Sequence, residues 1–236
     1  MSPKNTPRRL EPSRDCKLCP RLVAFRKSCT ETVPLGFNGA TPSFGDESAK
    51  LLIVGLAPGL QGANRTGRPF TGDDSGLLLF TTLTKFGWTK GTYGGHAKDG
   101  FTLVDATITN AVRCVPPKNR PTAAEIRECR PFLLNRIEAM TRLRAILCLG
   151  RVAHEATLDA LGVARKDATF IHGAQHSVDR PANQQSGLQD EHRGGHQPLV
   201  IFDSYHCSRY NTNTKRLTPA MFEEVFDAIG KMLGRK

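Results

Sequence analysis

The sequence predicts an α/β fold in three layers, α/β/α, built on a central four-stranded, mainly parallel sheet. Three observations carry that expectation. Short apolar runs at 51–54, 106–109, 145–149 and 199–202 are partly β-branched and bounded by Gly, Pro or polar residues, as buried parallel strands are. Helical patterns fill the stretches between them, and such alternation calls for right-handed crossovers with helices on both faces of the sheet. The length, 236 residues, suits one domain that buries about 70% of the surface its extended chain would expose.

Taken in order, residues 1–15 carry Lys4, Arg8, Arg9 and Arg14 among several prolines and predict a flexible basic tail, with a single domain over 16–236. No apolar stretch follows those charges, so neither a secretory signal nor an anchor is expected. After the strand at 51–54 comes a glycine-rich loop, and the pattern from 76 to 85 then predicts a helix. Thr122 and Glu125 have the spacing of a capping box after Pro121, opening a helix that continues through Ile126, Leu133, Leu134 and Ile137. Residues 151–161 form the next helix. From 167 to 197 the composition turns polar, apart from Phe170 and Ile171, and predicts a surface excursion holding at most a hairpin. Thr218 and Pro219 start a last helix with Phe222, Val225, Phe226, Ile229 and Leu233 on one face.

Composition narrows the function classes. No run approaches the roughly 18 to 20 uninterrupted apolar residues of a membrane span, so a soluble protein is expected; with no signal at the N-terminus its expected location is the cytoplasm, and its expected state a monomer. The formal charge of +11 favours a polyanionic partner such as nucleic acid. Seven cysteines, an odd number, argue against a disulfide framework in a reducing compartment. Cys16 and Cys19 form a CxxC pair, and with Cys114 and Cys129 they could hold zinc or an iron-sulfur cluster; spacing does not decide between these. A stray pair plus two core thiols is the bland alternative. Cys29, Cys148 and Cys207 have no such partners, and Cys148 reads as a small buried apolar residue.

Two loops carry the chemistry. The stretch from Gly55 to Gly76 puts six glycines, Phe70, Asp73 and Asp74 directly after a buried strand, where open α/β folds build their sites. The second, from Ser204 to Thr218, follows the strand at 199–202 and holds His206, Ser208, Arg209 and Asn211. The pattern Gly55-Leu-Ala-Pro-Gly, then Gly62-Ala-Asn-Arg-Thr-Gly-Arg-Pro-Phe-Thr-Gly-Asp73, resembles the first active-site motif of the family-five, B-type uracil-DNA glycosylases of the iron-sulfur branch. The segment Ile108-Thr-Asn-Ala-Val-Arg-Cys114 and the run Ser204-Tyr-His-Cys-Ser-Arg-Tyr-Asn-Thr-Asn-Thr214 are similar to further motifs of the same family. The likeness extends over roughly residues 16 to 218.

That resemblance implies a monofunctional repair glycosylase. It would hydrolyse the N-glycosidic bond of uracil in DNA, and of other deaminated bases such as hypoxanthine, and leave an abasic site. It implies a [4Fe-4S] cluster on Cys16, Cys19, Cys114 and Cys129 near one end of the sheet. Gly55, Ala57, Phe70 and Asn110 would form the base pocket, with Phe70 stacking on the extruded base and Asn110 reading its edge. Asp73 would orient the attacking water and His206 would stabilise the departing base anion. Asp74, adjacent, competes with Asp73 for that role, and either aspartate has a helix cap as its ordinary explanation. Arg65, Ser208, Arg209 and Asn211 would hold the DNA backbone. Two rivals remain. A nucleotide-binding α/β protein is disfavoured because Gly55-Leu-Ala-Pro-Gly fits neither GxGxxG nor GxxxxGK. A metal-stabilised, non-catalytic nucleic-acid-binding protein would have no use for Asp73 and His206.

Overall fold

A computed structural model describes residues 9–179 and 198–235. The start of the basic tail, 1–8, and most of the polar excursion, 180–197, lie outside the described residues. Helix α1 (Pro20–Thr32) precedes β1 (Phe44–Gly45) and β2 (Leu51–Gly55). A short turn of helix, α2 (Ala63–Thr66), and α3 (Asp74–Lys85) lead to the pair β3 (Thr89–Lys90) and β4 (Thr102–Leu103), then β5 (Ala106–Asn110). The chain continues through α4 (Ala123–Ala139), β6 (Ala145–Leu149), α5 (Arg151–Leu161) and β7 (Gln175–Val178) to β8 (Leu199–Ser204), α6 (Arg209–Asn213) and α7 (Pro219–Met232).

The four apolar runs form the parallel centre of the main sheet, whose order is β1-β5-β2-β6-β8-β7. The sheet therefore has six strands rather than four, because β1 and β7 add antiparallel edges. Neither edge strand has an apolar run to betray it: β1 is two residues long, and β7 is Gln-His-Ser-Val with mostly solvated side chains. Strand alternation sorts the core into two halves. Leu51, Ile53, Ile108 and Leu147 pack under α3 and α7, while Leu52, Val54, Ile146 and Cys148 pack under α4 and α5. Cys148 is fully buried, in its expected role.

Helix starts follow the sequence closely. Thr122 and Glu125 make both bonds of the capping box, and Thr218 caps α7 by accepting from the Met221 amide. The basic tail differs from expectation between 9 and 15. There Glu11 pairs with the buried Arg113 at 2.8 Å and with Arg136, so this stretch is anchored to the domain. The physical reason is charge: two buried guanidinium groups need a carboxylate, and the N-terminal segment supplies it. No helix among the described residues is long and apolar enough to cross a membrane.

Candidate active site

The loops after β2, β5, β6 and β8 leave the same carboxyl edge of the sheet. Because β5 and β6 lie on opposite sides of β2, a crevice opens there, as expected where strand order reverses. A cleft of about 300 Å³ occupies it. Of the residues singled out from the sequence, Ala57, Phe70, Asp73, Asn110, His206 and Ser208 line it together. Gly55 lies beneath: a Cβ there would stand 2.4 Å from Asn110 Oδ1 and 2.6 Å from Phe70 Cζ, so only glycine lets these two side chains converge. Gly59, Ser75 and Asn119 also line the cleft and were not foreseen. Asn119 has a signal in hindsight, a left-handed φ of 54° behind a Pro-Pro-Lys turn, a conformation asparagine tolerates.

Phe70 is held in an unusual conformation, with φ of 53°. Bulky residues rarely adopt it, and such strain persists only where the surroundings over-determine it. Two features do so. A Cβ on Gly76 would lie 1.7 Å from the Phe70 carbonyl oxygen, so the carbonyl occupies the space a side chain would take. Two residues back, Arg68 is buried, forks onto Asp99 through contacts of 2.8 and 2.7 Å, and lies among the rings of Phe44, Phe80, Tyr93 and Phe101. The Arg68 guanidinium holds the Asp99 carboxyl far below the usual carboxylate range. Asp99→Asn removes the charge facing a buried cation and is expected to destabilise the fold by about 3 kcal/mol, read from the denaturant midpoint. An unshifted midpoint would show that the pair does not brace the loop.

Asp73 and Asp74 part company. Asp73 lines the cleft, caps α3 by accepting from the Gly76 amide, and has its carboxyl pushed up by burial, against the opposing amides of Gly76 and Ser75. A Cβ at Gly62 would sit 2.1 Å from Asp73 Oδ2, so glycine is what lets the carboxylate tuck against that turn. Asp74 is exposed and reaches out to Arg209 at 3.4 Å. The His206 ring stacks on Phe70, with centroids 5.7 Å apart and planes at 27°. Burial pushes its pKa down to about 4, which leaves it neutral at physiological pH.

The residues expected on the DNA backbone are not all in this cleft. Arg65 donates to the Gln61 and Gly72 carbonyls and braces its own loop. The Asn211 amide donates to the His206 carbonyl at 2.8 Å, fixing the backbone that carries the histidine. Ser208 caps α6, and Arg209 is exposed.

The cysteines also converge. Cys16, Cys19, Cys114 and Cys129 line one small apolar cavity between α1 and α4, all as free thiols. Burial and their mutual proximity push Cys19 up to about 11, while burial, first of all, pushes Cys114 up to about 12. The Arg113 amide donates to Cys129 Sγ at 3.3 Å, and cationic Arg26 and Arg113 lie near Cys114 and Cys129. Four converging soft donors with an amide and positive charge beside them fit a metal or cluster that binds thiolates. A second group, Cys148, His154 and Asp203, brings possible ligand atoms within 4.8 Å of one another. There the ring of His154 already bonds Asp203 at 2.7 Å and the Ala168 carbonyl at 2.8 Å, and Cys148 bonds Thr157, so hydrogen bonds satisfy the group without an ion.

An aromatic ring, an amide, a carboxylate and a neutral imidazole thus line one cleft at the carboxyl edge of an α/β sheet, the arrangement of an enzyme site that takes a small ligand. The profile of the family described as Uracil DNA glycosylase superfamily matches residues 42–230. The Type-5 uracil-DNA glycosylase of Thermus thermophilus is 38% identical over 225 residues, covering 93% of this chain and 94% of that protein. The enzymes of the same name from Pyrobaculum aerophilum and Mycobacterium leprae are each 37% identical, covering 89% and 93% of this chain and 86% and 92% of their own lengths. The chain belongs to the uracil DNA glycosylase superfamily, in its type-5 family.

Proposed function

We propose that this protein is a monofunctional uracil-DNA glycosylase of base-excision repair, acting as a monomer in the cytoplasm. The observation that carries the reading is that Asp73, from the loop after β2, and His206, from the loop after β8, line one cleft with Phe70 and Asn110. An extruded uracil stacks on Phe70 and presents its edge to the Asn110 amide, which both donates and accepts. As the C1′–N1 bond breaks, its electron pair leaves with the base. A neutral His206 donates to the uracil O2, where the negative charge gathers, and needs no proton transfer to do so. Asp73, a stronger base for being buried, accepts the proton of the water that attacks C1′ and offsets the positive charge on the sugar. The uracil anion takes its proton from solvent after release. Hypoxanthine offers the same carbonyl and N–H edge, and the small Ala57 leaves room for a second ring, so deaminated adenine is a second substrate.

Among the described residues no lysine lines the cleft, which supports hydrolysis by water rather than an enzyme-bound Schiff base. Free uracil released from a uracil-containing oligonucleotide, with no adduct trapped by borohydride, is the expected result. Binding of the oligonucleotide without base release would favour the non-catalytic nucleic-acid module instead.

The cysteine cavity holds a [4Fe-4S] cluster on Cys16, Cys19, Cys114 and Cys129. Its irons would be held by the thiolates of these four cysteines, which would tie the segment before α1 to the loop after β5 and to α4. Protein purified anaerobically is expected to be brown and to contain four irons per chain. Stoichiometric zinc in its place would overturn the assignment.

A further inference from the structure

Beside the base cleft lies a second one, of about 350 Å³, with His206 as the wall between them. Arg151, Phe170, Ile171, Tyr205 and Arg216 line it. Most buried or half-buried arginines here are spent on carboxylates, as in Arg68 with Asp99, Arg113 with Glu11 and Arg130 with Asp159. Arg151 and Arg216 are exposed and have no hydrogen-bond or ion-pair partner among the described residues. Instead the Arg216 guanidinium lies 4.6 Å from the centre of the Tyr205 ring, and that of Arg151 lies 5.8 Å from the Phe170 ring. Arg151 is also the first residue of α5, whose opening turn has no acidic residue, so the helix dipole disfavours a cation there unless an anion joins it. Ile171 leaves 62% of its surface open to solvent at the rim, although it sits between aromatic and cationic groups.

Unpaired guanidinium groups over aromatic rings, with an exposed apolar side chain alongside, make the surface that single-stranded nucleic acid favours: cations for phosphate and flat or apolar faces for bases. The adjacency decides which nucleotide. A strand whose target base is turned into the first cleft must pass its next phosphodiester over the His206 wall. We propose that the second cleft seats the nucleotide adjoining the target on the same strand, with Arg151 and Arg216 holding its phosphodiester and Ile171 and Phe170 covering its base. The proposal rests on the glycosylase reading, and it adds a one-sided demand on the substrate: a nucleotide is needed on one flank of the target and not equally on the other.

The test uses the full-length protein and oligonucleotides carrying a 2′-fluoro-deoxyuridine, whose glycosidic bond resists cleavage. Arg151→Gln combined with Arg216→Gln, both at exposed positions, is expected to weaken binding about tenfold at low salt when both flanks are present. That ratio should close to within about twofold once the nucleotide on one particular flank is removed, and persist when the other is removed. With 2-aminopurine placed on each flank in turn, Ile171→Gly should abolish the fluorescence change on binding for that same flank alone. Lys231→Gln, which removes an exposed charge from α7 paired with Asp227, serves as the control for net charge. Equal weakening for both truncated substrates, or no weakening beyond the Lys231 control, would overturn the proposal. Failure of the wild-type protein to release uracil from any natural oligonucleotide would instead strike the glycosylase reading, so the two failures are distinct.

Discussion

Asp73→Asn is expected to slow single-turnover uracil release by about 10²- to 10³-fold while leaving DNA affinity near its wild-type value, the usual cost of losing a positioned base or charge in a dry site. Asparagine is nearly isosteric and caps helices as well as aspartate does, so the cap on the Gly76 amide survives and the fold should be intact. What is lost is the negative charge and the lone pair that receives the water proton. Asp74→Asn is the matched comparison. That carboxylate is exposed and reaches Arg209 rather than the cleft, so its removal should leave the chemical step within about twofold of normal. A near-normal rate for the Asp73 variant together with collapse of the Asp74 variant would reverse the assignment.

His206→Ala should cost a similar factor, and its pH dependence separates a neutral donor from a cationic one. With its pKa at about 4, His206 is neutral across the physiological range, so the rate of the chemical step should not fall as pH rises through 6.5. An imidazolium acting as the donor would show that fall. Protonation on the acid side also bears on stability. The unfolded chain binds a proton at this histidine near its ordinary value of 6.5, whereas the folded chain does so only near 4. The unfolded state therefore holds more protons between those values, and this group's contribution to stability is complete above pH 6.5 and declines as pH falls toward 4. Asp99 acts in the same direction at lower pH: its depressed carboxyl contributes stability that is lost as acid protonates it. Single-turnover rates measured from pH 4 to 8 and denaturant midpoints measured from pH 2 to 8 check both expectations. A midpoint that rises on acidification would contradict them.

Much of this molecule is determined by the sequence alone. The four parallel strands follow from apolar, partly β-branched runs, because a strand covered on both faces must be apolar at every position. The starts of α4 and α7 follow from Thr122 with Glu125 and Thr218 with Pro219, since capping is a local hydrogen-bonding problem solved within four residues. The two motif loops are legible for the same reason: glycines, an aromatic and polar groups concentrated after apolar strands mark sites whatever the rest of the chain does.

Tertiary structure decided what depends on partners distant in sequence. The edge strands β1 and β7 take their conformation from pairing with β5 and β8, not from any pattern of their own. Glu11 is ordered only because Arg113 and Arg136, more than a hundred residues later, lie buried beneath it. Between Asp73 and Asp74, adjacent and chemically identical, sequence offers no choice; the turn at Gly62 and the direction of α3 point one into the cleft and the other at solvent. Asn119 and the arginines of the second cleft belong to the same class. Their roles arise from which loops share the carboxyl edge of the sheet, and that edge exists only once strands far apart in the chain have paired.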